Sequence, residues 1–160
     1  MIENQKKIWI TGASSGIGKA LALKFAEENW QVAISARRKE LLDELAQNVN
    51  ISSFPLDVTN DNSVNTAFSN ILNEFSNLDL CVFCSGAYDP KLEKEINKEQ
   101  IKKIMNINFF GVLNCIKTVE EHFKTKKKGH ISIVSSVAAY RGLPNSSGYG
   151  PSKAALTNLT

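Results

Sequence analysis

Tyr149 and Lys153 stand four residues apart near the end of the 160-residue chain, and Ser136 precedes the tyrosine by thirteen residues. Residues i and i+4 of a helix share one face, so the ammonium of Lys153 can lie beneath the phenol and favour its ionised form. A free phenol titrates near about 10, and each unit of depression corresponds to about 1.4 kcal/mol. Bringing it near neutrality takes roughly 4 kcal/mol, which one positive charge at ~4 Å supplies at an effective dielectric of ~20. A phenol tuned in this way beside a hydroxyl donor is acid/base apparatus for interconverting a carbonyl and an alcohol. Alone, YxxxK is a weak pattern, and a surface tyrosine at a helix start fits it too.

The opening of the chain shifts that balance. The stretch KKIWITGASSGIG, ending at Gly18, reads as a short apolar strand, a glycine-spaced turn and the start of a helix. Gly12, Gly16 and Gly18 let the backbone turn sharply and let a phosphate approach without meeting a Cβ. Ser14 and Ser15 add hydroxyl donors. The helix after them, with Ile17, Ala20, Leu21 and Phe25 on one face, aims its N-terminal amides at an anion. The spacing is GxxxGxG rather than the common GxGxxG fingerprint. Its place between a strand and an amphipathic helix favours a phosphate cradle over an ordinary turn.

Both groups need a scaffold, and the rest of the chain supplies its pattern. Strands are predicted near 7–11, 31–35, 52–56, 79–84 and 130–135, and helices near 16–28, 39–48, 61–76, 98–124 and from about 150 onward. Over 61–76, Val64, Ala67, Phe68, Ile71, Leu72 and Phe75 follow the helical period, with Asn60 or Asp61 placed to cap. Asn29 sits where the first helix stops, a position that suits a left-handed residue. Such alternation, with right-handed crossovers, predicts an α/β fold: one doubly wound parallel sheet over residues 1–160, in one domain. Cys81 and Cys84 form a CxxC inside the apolar run Leu80-Cys81-Val82-Phe83-Cys84. Positions i and i+3 of a strand point to opposite faces, so core filling is expected rather than a metal or redox pair.

Bulk properties fit a soluble domain able to bury about two-thirds of its unfolded surface. The net charge of +3 is modest, and Lys126-Lys127-Lys128 reads as a solvated connection before Gly129, so no nucleic-acid partner is expected. No apolar stretch approaches a membrane span, and residues 1–10 hold no run long enough for a secretion signal. Three cysteines, an odd number, suit a reducing cytoplasm.

Together these features resemble the short-chain dehydrogenase/reductase family, from about residue 6 to the last. TGASSGIG at 11–18 looks like the family's cofactor loop, Asp57-Val58 like its adenine-contacting pair, and Gly86 like the glycine where strand four meets the cofactor. Asn108, in NFFG, together with Ser136, Tyr149 and Lys153 matches the family's catalytic tetrad. The resemblance implies hydride transfer between a nicotinamide and a carbonyl. Ser136 would hold the carbonyl oxygen and Tyr149 would donate the proton. Lys153 would tune the phenol and hold the nicotinamide ribose, and Asn108 would position a relay water. Each has a plainer alternative: Ser136 as a strand-end serine, Asn108 as an exposed residue or a helix irregularity.

The cofactor's identity is read at the end of the second strand, where a carboxylate would grip a ribose 2′-hydroxyl. This chain has Ser35-Ala36-Arg37-Arg38 there. Two guanidiniums match a 2′-phosphate, so NADP(H) is expected, with NAD(H) possible. A solvated helix start is the competing account, stronger for Arg38 than for Arg37.

Two departures from the family stand out. Its usual NNAG is replaced by Phe83-Cys84-Ser85-Gly86, and family members usually run on for roughly another hundred residues (two further strands and the segment that closes over the substrate). His130-Ile131-Ser132-Ile133-Val134 would then be an open apolar edge, and a surface the family often uses for oligomerisation would be reduced. The expected function is an NADP(H)-dependent oxidoreductase acting on a small carbonyl or secondary alcohol. The alternatives are an inactive NADP(H)-binding module and a fragment of a longer enzyme. Tyr140, Arg141 and Leu143 are candidates for the pocket mouth.

Overall fold

The computed structural model describes residues 5–160. Its strands are β1 (Lys7–Thr11), β2 (Gln31–Ser35), β3 (Ile51–Ser53), β4 (Leu80–Phe83) and β5 (His130–Ile133). They form one parallel sheet in the order β3-β2-β1-β4-β5. This is the doubly wound α/β sheet that the alternation predicts.

The strands are apolar on both faces because helices cover both. Ile8 and Ile10 of β1 pack with Val32, Ile34 and Val82 against Ala22 of α1 (Gly16–Glu27) and Leu42 of α2 (Lys39–Leu45). Trp9, Cys81 and Phe83 face the other way, against α3 (Asp61–Phe75) and α5 (Gly111–Lys126). Trp9 is wholly buried, 5.9 Å from the Phe68 ring and edge-on to Phe83 at 5.8 Å. Its Nε1–H donates to Ser35 Oγ at 2.9 Å, which removes the cost of an unpaired buried donor. Cys81 and Cys84 fall on opposite faces, as the strand period predicts. Burial pushes the Cys84 thiol up to about 11.

Local chemistry sets most helix ends. Asn60, not Asp61, caps α3, its Oδ1 accepting the Ser63 N–H at 3.0 Å. Asn29 is left-handed, φ 61°, as expected. Ser76 and Lys127 end α3 and α5 in the same conformation without a residue type that announces it.

Two elements differ from expectation. β3 stops at Ser53, short of the residue 56 expected, although the amides of Phe54 and Leu56 still donate to Ile34 and Ala36 at 2.9 and 3.1 Å. The single helix expected over 98–124 is three pieces: α4 (Lys98–Met105), a π turn at Asn106–Phe110, and α5. One wider turn in an otherwise regular ladder is all that separates them. After β5 come a short 3₁₀ turn at Val137–Ala139 and α6 (Tyr149–Leu159). Among the described residues β5 pairs with β4 alone, leaving one flank open, with Ile131 and Ile133 half-buried.

Candidate active site

β1, β2 and β4 end at a common cleft of about 310 Å³. It lies where the chain's winding reverses across the sheet, the usual ligand position in such folds. Gly12, Ser14, Ser15, Ile17, Gly18, Arg37, Arg38, Asp57, Val58 and Gly86 all line it. Gly16 does not, and instead turns the chain into α1 at φ +57°. A Cβ on Gly12 would stand 2.8 Å from the Cys84 carbonyl carbon, and one on Gly18 would stand 2.5 Å from the Gly12 oxygen. Loop, helix and β4 can meet this closely only because those side chains are hydrogen. No side chain caps α1 and no acid occupies its first turn, so its amides and dipole remain available to an anion.

Arg38 spans the cleft rim. Its Nη2 donates to Ser14 Oγ and Ser15 Oγ, both at 2.8 Å, and its Nε reaches Ser14 Oγ at 3.3 Å. Arg37 lines the same cleft, exposed, without such ties. Both arginines expected at the cofactor's 2′ position thus lie on the cleft, and they differ in their ties. Arg38, the N-cap residue of α2, is the one tied to the glycine loop through Ser14 and Ser15. Asp57 accepts from the amide and hydroxyl of Thr59 at 2.9 and 2.8 Å, so its carboxylate holds a turn. Val58 is buried beside Gly111, where an added Cβ would come within 2.6 Å of it, and Asn114 Nδ2 donates to the Val58 carbonyl at 3.0 Å.

The π turn aims Asn108 inward, where it is wholly buried rather than exposed. Its Oδ1 accepts from the Ala87 amide at 2.7 Å, and its Nδ2 donates to the Ala87 carbonyl and to Ser152 Oγ, each at 3.0 Å. It thus clamps the segment after β4 onto α6. Lys153, 4% exposed, donates to the Val134 carbonyl at 2.8 Å. Burial holds its ammonium below the usual lysine range. A Cβ built on Gly86 would meet Lys153 Nζ at 3.5 Å and Asn108 Oδ1 at 3.6 Å. Both groups therefore converge on the wall of this cleft.

Tyr149 opens α6, half-buried, with its ring centroid 5.8 Å from Lys153 Nζ. The ammonium thus lies over the ring face while donating to the Val134 carbonyl. Ser135 and Ser136 divide their work. Ser135 Oγ binds the Lys153 carbonyl at 3.2 Å and Thr157 Oγ1 at 2.6 Å, a structural tie to α6. Ser136 Oγ accepts only from the Ala138 amide, at 3.2 Å, which leaves its O–H free to donate.

Two residues near Tyr149 carried no sequence signal. Tyr88 places its ring 4.5 Å from that of Tyr149, and buried Glu93 accepts from the Gly148 and Tyr149 amides. A second cavity lies beside α6, with Tyr140, Arg141 and Leu143 on its wall and neither Tyr149 nor Ser136. No helix among the described residues is long and apolar enough to cross a membrane.

Comparison with known proteins agrees with this geometry. A family model described as short chain dehydrogenase matches residues 6–160. The chain is 34% identical over 158 residues to Dehydrogenase/reductase SDR family member 7 of Mus musculus, covering 93% of this chain and 47% of that protein. It is 35% identical over 158 residues to the NADPH-dependent 1-acyldihydroxyacetone phosphate reductase of Schizosaccharomyces pombe, covering 97% and 52%. The solved structure of ElxO with NADP bound matches at a TM-score of 0.89 and 31% identity, covering 98% of this chain and 66% of that one. The chain thus spans about half to two-thirds of the length of these relatives. With its glycine-looped cleft, its clamped asparagine and its buried lysine, it belongs to the short-chain dehydrogenase family, a family of oxidoreductases.

Proposed function

We propose that this chain is the cofactor-binding and proton-transfer part of an NADP(H)-dependent oxidoreductase that interconverts a carbonyl and a secondary alcohol. The observation that carries the reading is the convergence on Gly86, at the cleft wall, of Lys153 Nζ from the helix that begins with Tyr149 and of Asn108 Oδ1 from the π turn. The residues present fit the dinucleotide. The Gly12–Gly18 loop and the α1 amides would hold the diphosphate, Arg38 and Arg37 the 2′-phosphate, and Val58 the adenine side. Bound NADPH supplies a hydride.

The chain's own residues do the rest. Ser136 donates its free O–H to the carbonyl oxygen, and Tyr149 delivers the proton to that same oxygen. Lys153, fixed on Val134, keeps a positive charge beside the phenol and faces the ribose. Asn108 acts as a positioning residue, since both ends of its amide are committed to Ala87 and Ser152.

Thermal melts with NADPH and with NADH, followed by a carbonyl screen read as NADPH consumption, test the proposal. Stabilisation by NADPH above NADH, with turnover of at least one carbonyl, is expected. Stabilisation without turnover of any carbonyl would make the chain a binding module. Stronger stabilisation by NADH would overturn the cofactor assignment.

A further inference from the structure

Helix α6 carries Tyr149 and Lys153, yet its own sequence supplies no cap. The N-cap is Gly148, which has no side chain. Two of the first amides are satisfied locally: Gly150 donates to the Ser146 carbonyl and Ser152 to that of Gly148, both at 3.0 Å. Pro151 has no N–H to satisfy. The remaining two, on Gly148 and Tyr149, donate to Glu93 Oε2 at 2.7 and 2.9 Å. Glu93 is 2% exposed, and its other oxygen has no partner among the described residues. A carboxylate buried with one oxygen unpaired is costly unless nearby positive potential offsets it. The N-terminal end of α6 provides that potential.

The fit around this cap is tight. A Cβ on Gly148 would stand 3.3 Å from both Ile101 and Ile104 on α4 and 3.5 Å from Glu93 Oε2. The segment between β4 and α4 that carries Glu93 also brings Tyr88 onto the Tyr149 ring and is clamped at Ala87 by Asn108.

We propose that Glu93 is a positioning residue for the proton donor: reaching across 56 residues of sequence, it caps α6 at the Tyr149 amide and so fixes the aim of the phenol. The inference rests on Tyr149 being the proton donor, as proposed above. A cap of this kind needs an oxygen at the reach of a glutamate. Glutamine keeps that reach without the charge, and aspartate keeps the charge one methylene too short.

The test uses the full chain labelled with fluorotyrosine. It has three tyrosines, and the Tyr149 fluorine signal is assigned by its loss in Tyr149→Phe. In the wild type and Glu93→Gln, this signal is expected to be single and narrow and to move on adding NADPH. In Glu93→Ala and Glu93→Asp it is expected to broaden or split. Turnover with 2,3-butanedione as probe carbonyl should fall about tenfold in kcat, with the Kd for NADPH changed by less than about twofold. A Tyr149 signal as narrow in the Ala and Asp variants as in the wild type, still moved by NADPH, would overturn the proposal. So would loss of the cooperative melt in both, which would assign Glu93 to folding alone. If NADPH leaves the wild-type signal unmoved, the failure belongs to the Tyr149 reading instead.

Discussion

Replacing Arg38 by alanine separates the two tasks that its guanidinium performs. The first is structural: three hydrogen bonds at 2.8, 2.8 and 3.3 Å tie it to Ser14 and Ser15. Losing them loosens the phosphate loop and weakens NADPH and NADH alike. The second is electrostatic and falls on NADPH alone, because only that cofactor carries a 2′-phosphate. A charge-assisted hydrogen bond contributes about 1.5–3 kcal/mol, and solvent at this exposed rim favours the lower figure. At about 1.4 kcal/mol per tenfold, the ratio of NADPH to NADH dissociation constants should shift by about tenfold towards NADH. Titration calorimetry with both cofactors reads that ratio directly, and the shift should shrink as salt is raised. Arg37→Asp adds a repelling charge at the same rim and should move the ratio the same way. If Arg38→Ala weakens both cofactors equally, the guanidinium serves the loop alone. A wild type that prefers NADH would remove the 2′-phosphate argument entirely.

Other substitutions probe the remaining parts. Tyr149→Phe should abolish turnover while leaving the NADPH dissociation constant within about threefold, so most activity retained would refute its role. Lys153→Met should melt at a higher temperature than the wild type at neutral pH, because it removes a buried charge. The lysine pKa is lower folded than unfolded, so the cost of its charge is fully present below the folded value. That cost fades as pH rises towards 10.5, and wild-type stability should climb through that window and close the gap to the methionine variant. Gly18→Ala places a Cβ 2.5 Å from the Gly12 oxygen and should cost about 1–3 kcal/mol in denaturant unfolding, together with cofactor binding.

What could be read from the chain in advance was what depends on neighbours in sequence. The Gly12–Gly18 loop was legible because steric room is a local demand, and so were the Asn60 cap and the left-handed Asn29. The opposed thiols of Cys81 and Cys84 followed from the strand period alone. A helix irregularity at Asn108 was one reading the chain offered, and the π turn is that irregularity; its inward aim was hidden, since one added backbone position in 98–124 leaves the apolar spacing almost helical. The ties of Arg38 depended on where Ser14 and Ser15 lie in space, which no spacing records. Glu93 was invisible for the same reason: its partners are backbone amides, and amides carry no residue type. The tie of Lys153 to the Val134 carbonyl, another backbone group, was unreadable in the same way.

Trp9, sealed between Phe68 and Phe83 one strand-turn away from Gly12, gives the molecule a built-in lamp. Its emission belongs to a dry, rigid setting, while Trp30, half-buried beside Phe25, stands before β2, at the end of the sheet away from the cleft. With Trp30 changed to phenylalanine, a single indole would remain at the centre of the sheet. Its light overlaps the absorption of a reduced nicotinamide, so the fluorescence of one core residue would register arrivals and departures in the cleft in real time.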